Sequence, residues 1–163
     1  MNNETPAPPL VTVAMPVYNA GNYLRLAVAS IVKQTFTDWE LLVMDDASND
    51  GALDYVAKLG DPRIRVLRDG HRTGIAVRLN QAVGLARGQY FARMDADDVS
   101  FPDRFARQVA ALEGDGELDL VATRAITIDE SNHVRGNFPY ALSHTRICAR
   151  PWLGFHFPHP TWM

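Results

Sequence analysis

The stretch LVTVAMPVYNAGNYLRLAVASIVKQTFTDWELLVMDDASNDG, residues 10–51, decides the fold. It opens on an apolar, valine-rich run (10–17) that suits a strand buried on both faces. YNAGNY breaks the run. Leu24, Ala27, Val28, Ile31 and Val32 then recur at the spacing of one helix face. A second buried strand, about 40–44, runs straight into the acidic turn residues DDASNDG.

Downstream the alternation continues. A short helix over 52–59 and a strand over 64–67 (IRVL) come next. Ile75, Leu79, Ala82, Val83 and Ala86 mark another helical face, with Gly88 placed to stop that helix. QYFARM is the fourth strand, and its end leads into DADD, residues 95–98. Pro102 opens a further helix with Phe105, Val109 and Leu112 facing inward, and LDLVATRAITID (118–129) reads as one or two more strands. Such alternation predicts an α/β domain: a mostly parallel sheet flanked by helices on both faces.

Composition narrows the class. The chain has 163 residues, 47% hydrophobic and 21% charged, which is ordinary for one globular domain with its own core. A net charge of -3 gives no electrostatic basis for binding nucleic acid. One cysteine, Cys148, excludes an intramolecular disulfide and a multi-cysteine zinc site; it fits a reducing compartment and is expected to pack as a small hydrophobe. No apolar run approaches the roughly 20 residues needed to span a bilayer. The start, MNNETPAPPL, lacks a basic flank and an apolar signal region, so residues 1–9 are expected to form a flexible leader.

In open parallel sheets, ligands bind at the carboxyl ends of the strands. The polar clusters fall at such ends: PVYNAG after the first strand, DDASNDG after the second and DADD after the fourth. None has the glycine pattern of a dinucleotide site or a phosphate-cradling loop. Asp95, Asp97 and Asp98 offer hard oxygen ligands on a short turn, suited to Mg²⁺ or Mn²⁺ shared with a substrate phosphate. Helix capping or a solvated turn is the competing reading for any one of them. Asp45 and Asp46 carry the same ambiguity, because acidic residues before SNDG form Asx turns.

Taken together, these segments resemble glycosyltransferase family 2, whose members have the GT-A fold and bind nucleotide sugars. Residues 11–51 resemble the family's amino-terminal signature almost throughout. GIAVRLNQAVGLARGQYFARMDADD (74–98) resembles its second block, ending in the DXD metal motif, and FPHPTWM (157–163) resembles a later segment near the acceptor side. DXD alone is a weak pattern; the ordered set, spanning about residues 10 to 163, is specific.

The resemblance implies roles. Pro16, Val17 and Tyr18 would line the nucleotide pocket; Asp46 would accept the uracil N3–H, with Asp45 supporting that turn. Arg78 would lie near the nucleotide or its phosphates, Asp95 would approach the ribose or the metal, Asp97 would be the main metal ligand, and Asp98 would contribute or cap the next helix. His159 would neighbour the acceptor or the diphosphate, against the alternative of a packed, hydrogen-bonded histidine. The implied cofactor is Mn²⁺ or Mg²⁺. The implied partners are a nucleotide-sugar donor, UDP-linked, and a saccharide or lipid-linked acceptor. The implied location is cytoplasmic, free or peripheral to the inner face of a membrane.

The family's catalytic base, usually an aspartate of an acidic pair well beyond the DXD, has no counterpart assigned here. Asp129 and Glu130 come too early, in an apparent strand–turn. Residues 10–163 are therefore expected to bind donor with an incomplete acceptor side, and to transfer sugar slowly or not at all. A non-catalytic nucleotide-sugar-binding module is the alternative. A nucleotidyltransferase ranks lower, because the start lacks a glycine-rich basic phosphate loop. Exposed apolar surface near WLGFHF (152–157) would favour self-association.

Overall fold

The computed structural model describes residues 7–138, 140, 143, 145, 148–149 and 157–163. The described elements are strand β1 (Val11–Val17), helix α1 (Tyr23–Val32), β2 (Trp39–Asp45), α2 (Leu53–Lys58), β3 (Ile64–Leu67), α3 (Ile75–Leu85), β4 (Tyr90–Arg93), α4 (Arg104–Gly114), β5 (Ile126–Ile128), β6 (Val134–Asn137) and a 3-10 turn at His159–Thr161. The first four strands form a parallel sheet in the order β3-β2-β1-β4. The chain steps outward from β1 to β3, then returns across β1 to lay down β4. The order thus reverses between β1 and β4, where such sheets open a crevice at their carboxyl ends.

Strand alternation assigns the two faces. Val11, Val13, Met15 and Val17 pack with Leu24, Val28 and Ile31 of α1, Leu53 and Val56 of α2, and Phe105 and Val109 of α4. Ala14, Leu42 and Met44 meet Ala82 and Leu79 of α3 on the opposite face, with Leu67 and Phe91 beside them. Helices therefore cover both faces, and the central strands β1 and β2 are enclosed, which is why both read as apolar runs.

Several local expectations are corrected. Ile75 and Val83 of α3 are 50% and 59% exposed, whereas Arg78 is 2% exposed. Ion pairs made by Arg78 fix the helix's rotation, turning Arg78 and Ala82 toward the sheet and Val83 toward solvent. Within 118–129 only Ile126–Ile128 is a strand, and it pairs antiparallel with β6 in a separate hairpin. Val121 instead exchanges both backbone hydrogen bonds with Met163, at 2.9 Å each, so that segment is occupied locally. Cys148 is exposed. Trp152, Phe155, His144, His156 and all of WLGFHF except Phe157 lie outside the described residues, as do residues 1–6 of the expected leader.

Gly88 does something other than stop α3, which already ends at Leu85 with Ala86 extended. A Cβ on Gly88 would lie 2.5 Å from the Thr12 nitrogen and 2.8 Å from the Val11 carbonyl carbon. Its missing side chain lets the chain touch β1 before β4 begins, and the Tyr90 N–H then reaches the Leu10 carbonyl at 3.0 Å. Beside it, Glu40 is only 1% exposed and accepts hydrogen bonds from the Thr12 hydroxyl (2.8 Å) and from the Arg87 backbone (3.0 Å) and Nε (2.9 Å). The Thr12 hydroxyl oxygen in turn accepts the Gly88 N–H at 2.9 Å. Burial pushes the Glu40 pKa up, but the bonds from Arg87 and Thr12 outweigh it and leave the carboxyl below 4.5.

Two outcomes are expected. Gly88→Ala forces backbone apart at the β1–β4 junction and should cost about 3 kcal/mol in urea unfolding with an unchanged m-value. Because Glu40 titrates lower folded than unfolded, its contribution to stability is complete above about pH 4.5 and is lost as pH falls through the depressed folded value. Glu40→Gln should therefore lower stability at pH 7 and flatten its decline on acidification, read as thermal midpoint against pH.

Candidate functional site

Three loops meet along the carboxyl edge of the sheet. The loops after β1 and β2 are bonded into one bed: the Asn19 N–H donates to Ser48 Oγ (3.1 Å), Asn49 N–H to Asn19 Oδ1 (2.8 Å) and Gly21 N–H to Asp50 Oδ2 (2.7 Å). Non-glycine residues Asn19 and Ala47 sit at φ 48° and 65°, left-handed backbone held by these contacts. The Gly21 bond, ahead of opposing desolvation, keeps Asp50 below the usual carboxylate range. Pro16 and Val17 end β1, while Tyr18 stands 43% exposed with the Arg72 guanidinium 3.9 Å from its ring centre. Asp45 Oδ1 accepts the Ser48 N–H at 2.9 Å, closing the turn after β2.

Asp46 anchors the loop between β3 and α3. Its Oδ1 accepts from Thr73 N–H (2.7 Å), Gly74 N–H (3.1 Å) and Arg78 Nε (3.0 Å); among the described residues Oδ2 takes only the Gly74 N–H, at 3.1 Å. Desolvation raises the Asp46 pKa, but the Thr73, Gly74 and Arg78 bonds carry it below its ordinary value. Arg78 also forks onto Asp69 with two 2.7 Å bonds and donates to the His71 carbonyl. The Asp69 bonds, against desolvation, raise the Arg78 pKa, and the same bonds hold Asp69 far below the carboxylate range. Arg78 thus lies under the loop, fully engaged. A groove of about 650 Å³ between β3 and α3, lined by Met44, Leu67, Asp69, Arg78 and Leu85, abuts this knot and does not reach residues 95–98.

At the end of β4, Asp97 and Asp98 are exposed and Asp95 is partly covered. Burial raises the Asp95 pKa against the charge of Arg93, with Asp97 adding to the rise. Asp98 keeps contact with solvent, yet partial desolvation by the surrounding protein, then the charges of Asp95 and Asp97, push it up to about 6. The amino-terminal cap position of α4 is Asp103, whose carboxylate meets Arg107, and not Asp98. His159 comes alongside because the Arg93 N–H donates to the Trp162 carbonyl at 2.9 Å, drawing the carboxyl-terminal segment onto the sheet's edge. Burial and then Arg93 lower the His159 pKa, with Asp95 opposing, and its ring meets Trp162 edge-on at 4.4 Å.

Among the described residues, no three His, Cys, Asp or Glu groups are placed to hold a metal ion by themselves. Asp97 and Asp98 are exposed on the turn after β4, with Asp95 partly covered beside them. Asp50, Thr73, Gly74 and Arg93 were not singled out from sequence. For Arg93 the signal was present: an arginine one residue before the end of a buried strand.

Ionising Asp98 costs the folded protein, because its folded pKa lies above the unfolded 3.8. The penalty is absent below pH 3.8 and complete above about 6. Asp98→Asn should then stabilise the protein at pH 7.5 by ~1 kcal/mol, a figure discounted for water access to the group. At pH 3.5 it should make no difference. Thermal unfolding at the two pH values checks this.

The model of the family described as glycosyl transferase family 2 matches residues 12–163. EpsE of Bacillus subtilis (strain 168), which bears a glycosyltransferase name, is 39% identical over 132 residues, covering 78% of this chain and 47% of EpsE. The Escherichia coli UDP-Glc:alpha-D-GlcNAc-diphosphoundecaprenol beta-1,3-glucosyltransferase WfgD is 35% identical over 103 residues, 63% of this chain and 41% of that protein. Among solved structures, the mannosyltransferase PcManGT from Pyrobaculum calidifontis, in complex with GDP-Man and Mn²⁺, superposes with a TM-score of 0.65 at 27% identity, covering 76% of this chain and 37% of that one. The chain spans about half or less of each of these proteins. No described helix is long and apolar enough to cross a membrane. With its parallel sheet in the order 3-2-1-4, its helices on both faces and its match across residues 12–163, the chain belongs to glycosyl transferase family 2 and has the GT-A fold.

Proposed function

We propose that this domain binds a nucleotide-sugar donor, UDP-linked, across the β1/β4 crevice for transfer of the sugar to a hydroxyl acceptor with inversion. The observation that carries the reading is the trio Asp95, Asp97 and Asp98 on the β4 end, next to the cross-bonded loops after β1 and β2. The base would lie against Tyr18 and the backbone of Pro16 and Val17. Its N3–H would meet Asp46 Oδ2, the oxygen with one bond among the described residues, while Asp45 holds the turn. Arg78 acts from beneath, fixing Asp46 and the loop over the base. The E. coli relative's name specifies UDP-Glc and the Pyrobaculum structure holds GDP-Man, so the base chosen depends on these local groups.

Asp97, with Asp98 beside it, would hold Mn²⁺ or Mg²⁺ on the diphosphate, and Asp95 would reach the ribose or the metal. Bound there, the cation stabilises the charge that grows on the departing nucleoside diphosphate. His159, its pKa held below the ordinary imidazole value by burial and by Arg93, would flank the diphosphate or the acceptor. The acceptor is a saccharide or a lipid-linked sugar.

UDP should bind by calorimetry at least tenfold more tightly with Mn²⁺ than with EDTA, a coupling of about 1.4 kcal/mol. Asp97→Ala should abolish that difference without moving the thermal midpoint by more than a degree or two. Equal affinity in both buffers for the unmodified protein would overturn the donor reading.

A further inference from the structure

The guanidinium of Arg93 occupies an unusual place. Phe91 packs toward α3, while Ala92 and Met94 face the other helices, so Arg93 projects from the same face as Phe91. Its side chain is only 7% exposed. A buried guanidinium without a partner is strongly unfavourable, and the carboxylate of Asp95, just beyond the end of β4, supplies one. Arg93 NH1 donates to Asp95 Oδ2 at 3.1 Å and NH2 to Asp95 Oδ1 at 2.5 Å, a two-pronged clamp. Its buried Nε has no partner among the described residues. The side chain's bonding is thus directed to Asp95. Asp97 carries no comparable bond among the described residues.

We infer that Arg93 is a positioning residue that holds Asp95 by both oxygens and, of the two roles open to Asp95 above, leaves it the ribose and not the metal. The cation is then left to Asp97 and the donor's diphosphate. This rests on the donor reading above. Its consequence concerns the order of assembly. Without the clamp, Asp95 is free to turn toward Asp97 and join it around a divalent ion. With it, the protein alone binds the ion weakly, and uptake waits for the diphosphate's charge. The clamp couples metal binding to nucleotide binding.

The test is a double-mutant cycle on Arg93→Gln and Asp95→Asn, read by titrating Mn²⁺ alone (free ion followed by electron paramagnetic resonance) and UDP with and without Mn²⁺. Arg93→Gln should tighten binding of Mn²⁺ alone about tenfold and shrink the metal's enhancement of UDP affinity by a similar factor. In the Asp95→Asn background, adding Arg93→Gln should change either quantity by less than about threefold, because the residue acts through Asp95. Unchanged or weaker Mn²⁺ binding in Arg93→Gln overturns the inference. Equal losses of UDP affinity in both backgrounds also overturn it, since Arg93 would then touch the ligand itself. Should Arg93→Gln fail to fold, Arg93→Lys keeps the charge without the fork and should move both readings in the same direction, less far. If the unmodified protein binds UDP no better with Mn²⁺, the donor reading falls, while the Mn²⁺-only titration still decides whether the clamp restrains Asp95.

Discussion

Everything in this domain depends on β1 being hydrogen-bonded along both edges and covered on both faces. It pairs with β2 from Val11↔Trp39 to Val17↔Asp45 and with β4 from Val11↔Tyr90 to Ala14↔Arg93. A strand so enclosed offers only its two ends to polar chemistry, because any polar side chain between them must find a partner inside. The fit of β4 against it requires Gly88, where the approaching backbone leaves no room for a Cβ.

The two ends are treated differently. At the amino end, Glu40 is closed in by Thr12 and Arg87, with Arg65 at 3.6 Å, so the buried carboxylate has its counterparts. At the carboxyl end, the carboxylates of Asp97 and Asp98 stand beside Asp95 with incomplete compensation, and burial keeps two of the three reluctant to ionise. One end is a fastening. The other carries unfavourable electrostatics that a cationic ligand would relieve, an arrangement typical of functional sites.

The four-stranded sheet was legible in the sequence because its signals agree: valine-rich runs for strands, Leu24, Ala27, Val28 and Ile31 for α1, and acidic or asparagine-rich turns at each strand's end. The candidate carboxylates were legible for the same reason, since they follow a strand directly. What periodicity could not show was tertiary choice. Val83 looked like core, yet ion pairs of Arg78 turned α3 the other way. Gly88 read as a local stop signal, while its use is a contact with residues more than seventy positions earlier. Residues 118–125 have strand-like composition, but Val121 spends its backbone groups on Met163.

The edges of the sheet show how such a domain avoids pairing with copies of itself. A strand with free N–H and C=O groups is a template for aggregation. On one side the Trp162 carbonyl already occupies the Arg93 N–H, so the carboxyl-terminal segment blunts β4. On the other side β3 runs for only four residues, Ile64–Leu67, with Arg63, Arg65 and Arg68 in and around it. An incoming identical strand would have to bring the same three positive charges into register. The contacts that bring His159 to the site therefore also cover this edge of β4, and Met163 carries the backbone pairing one segment further, to Val121.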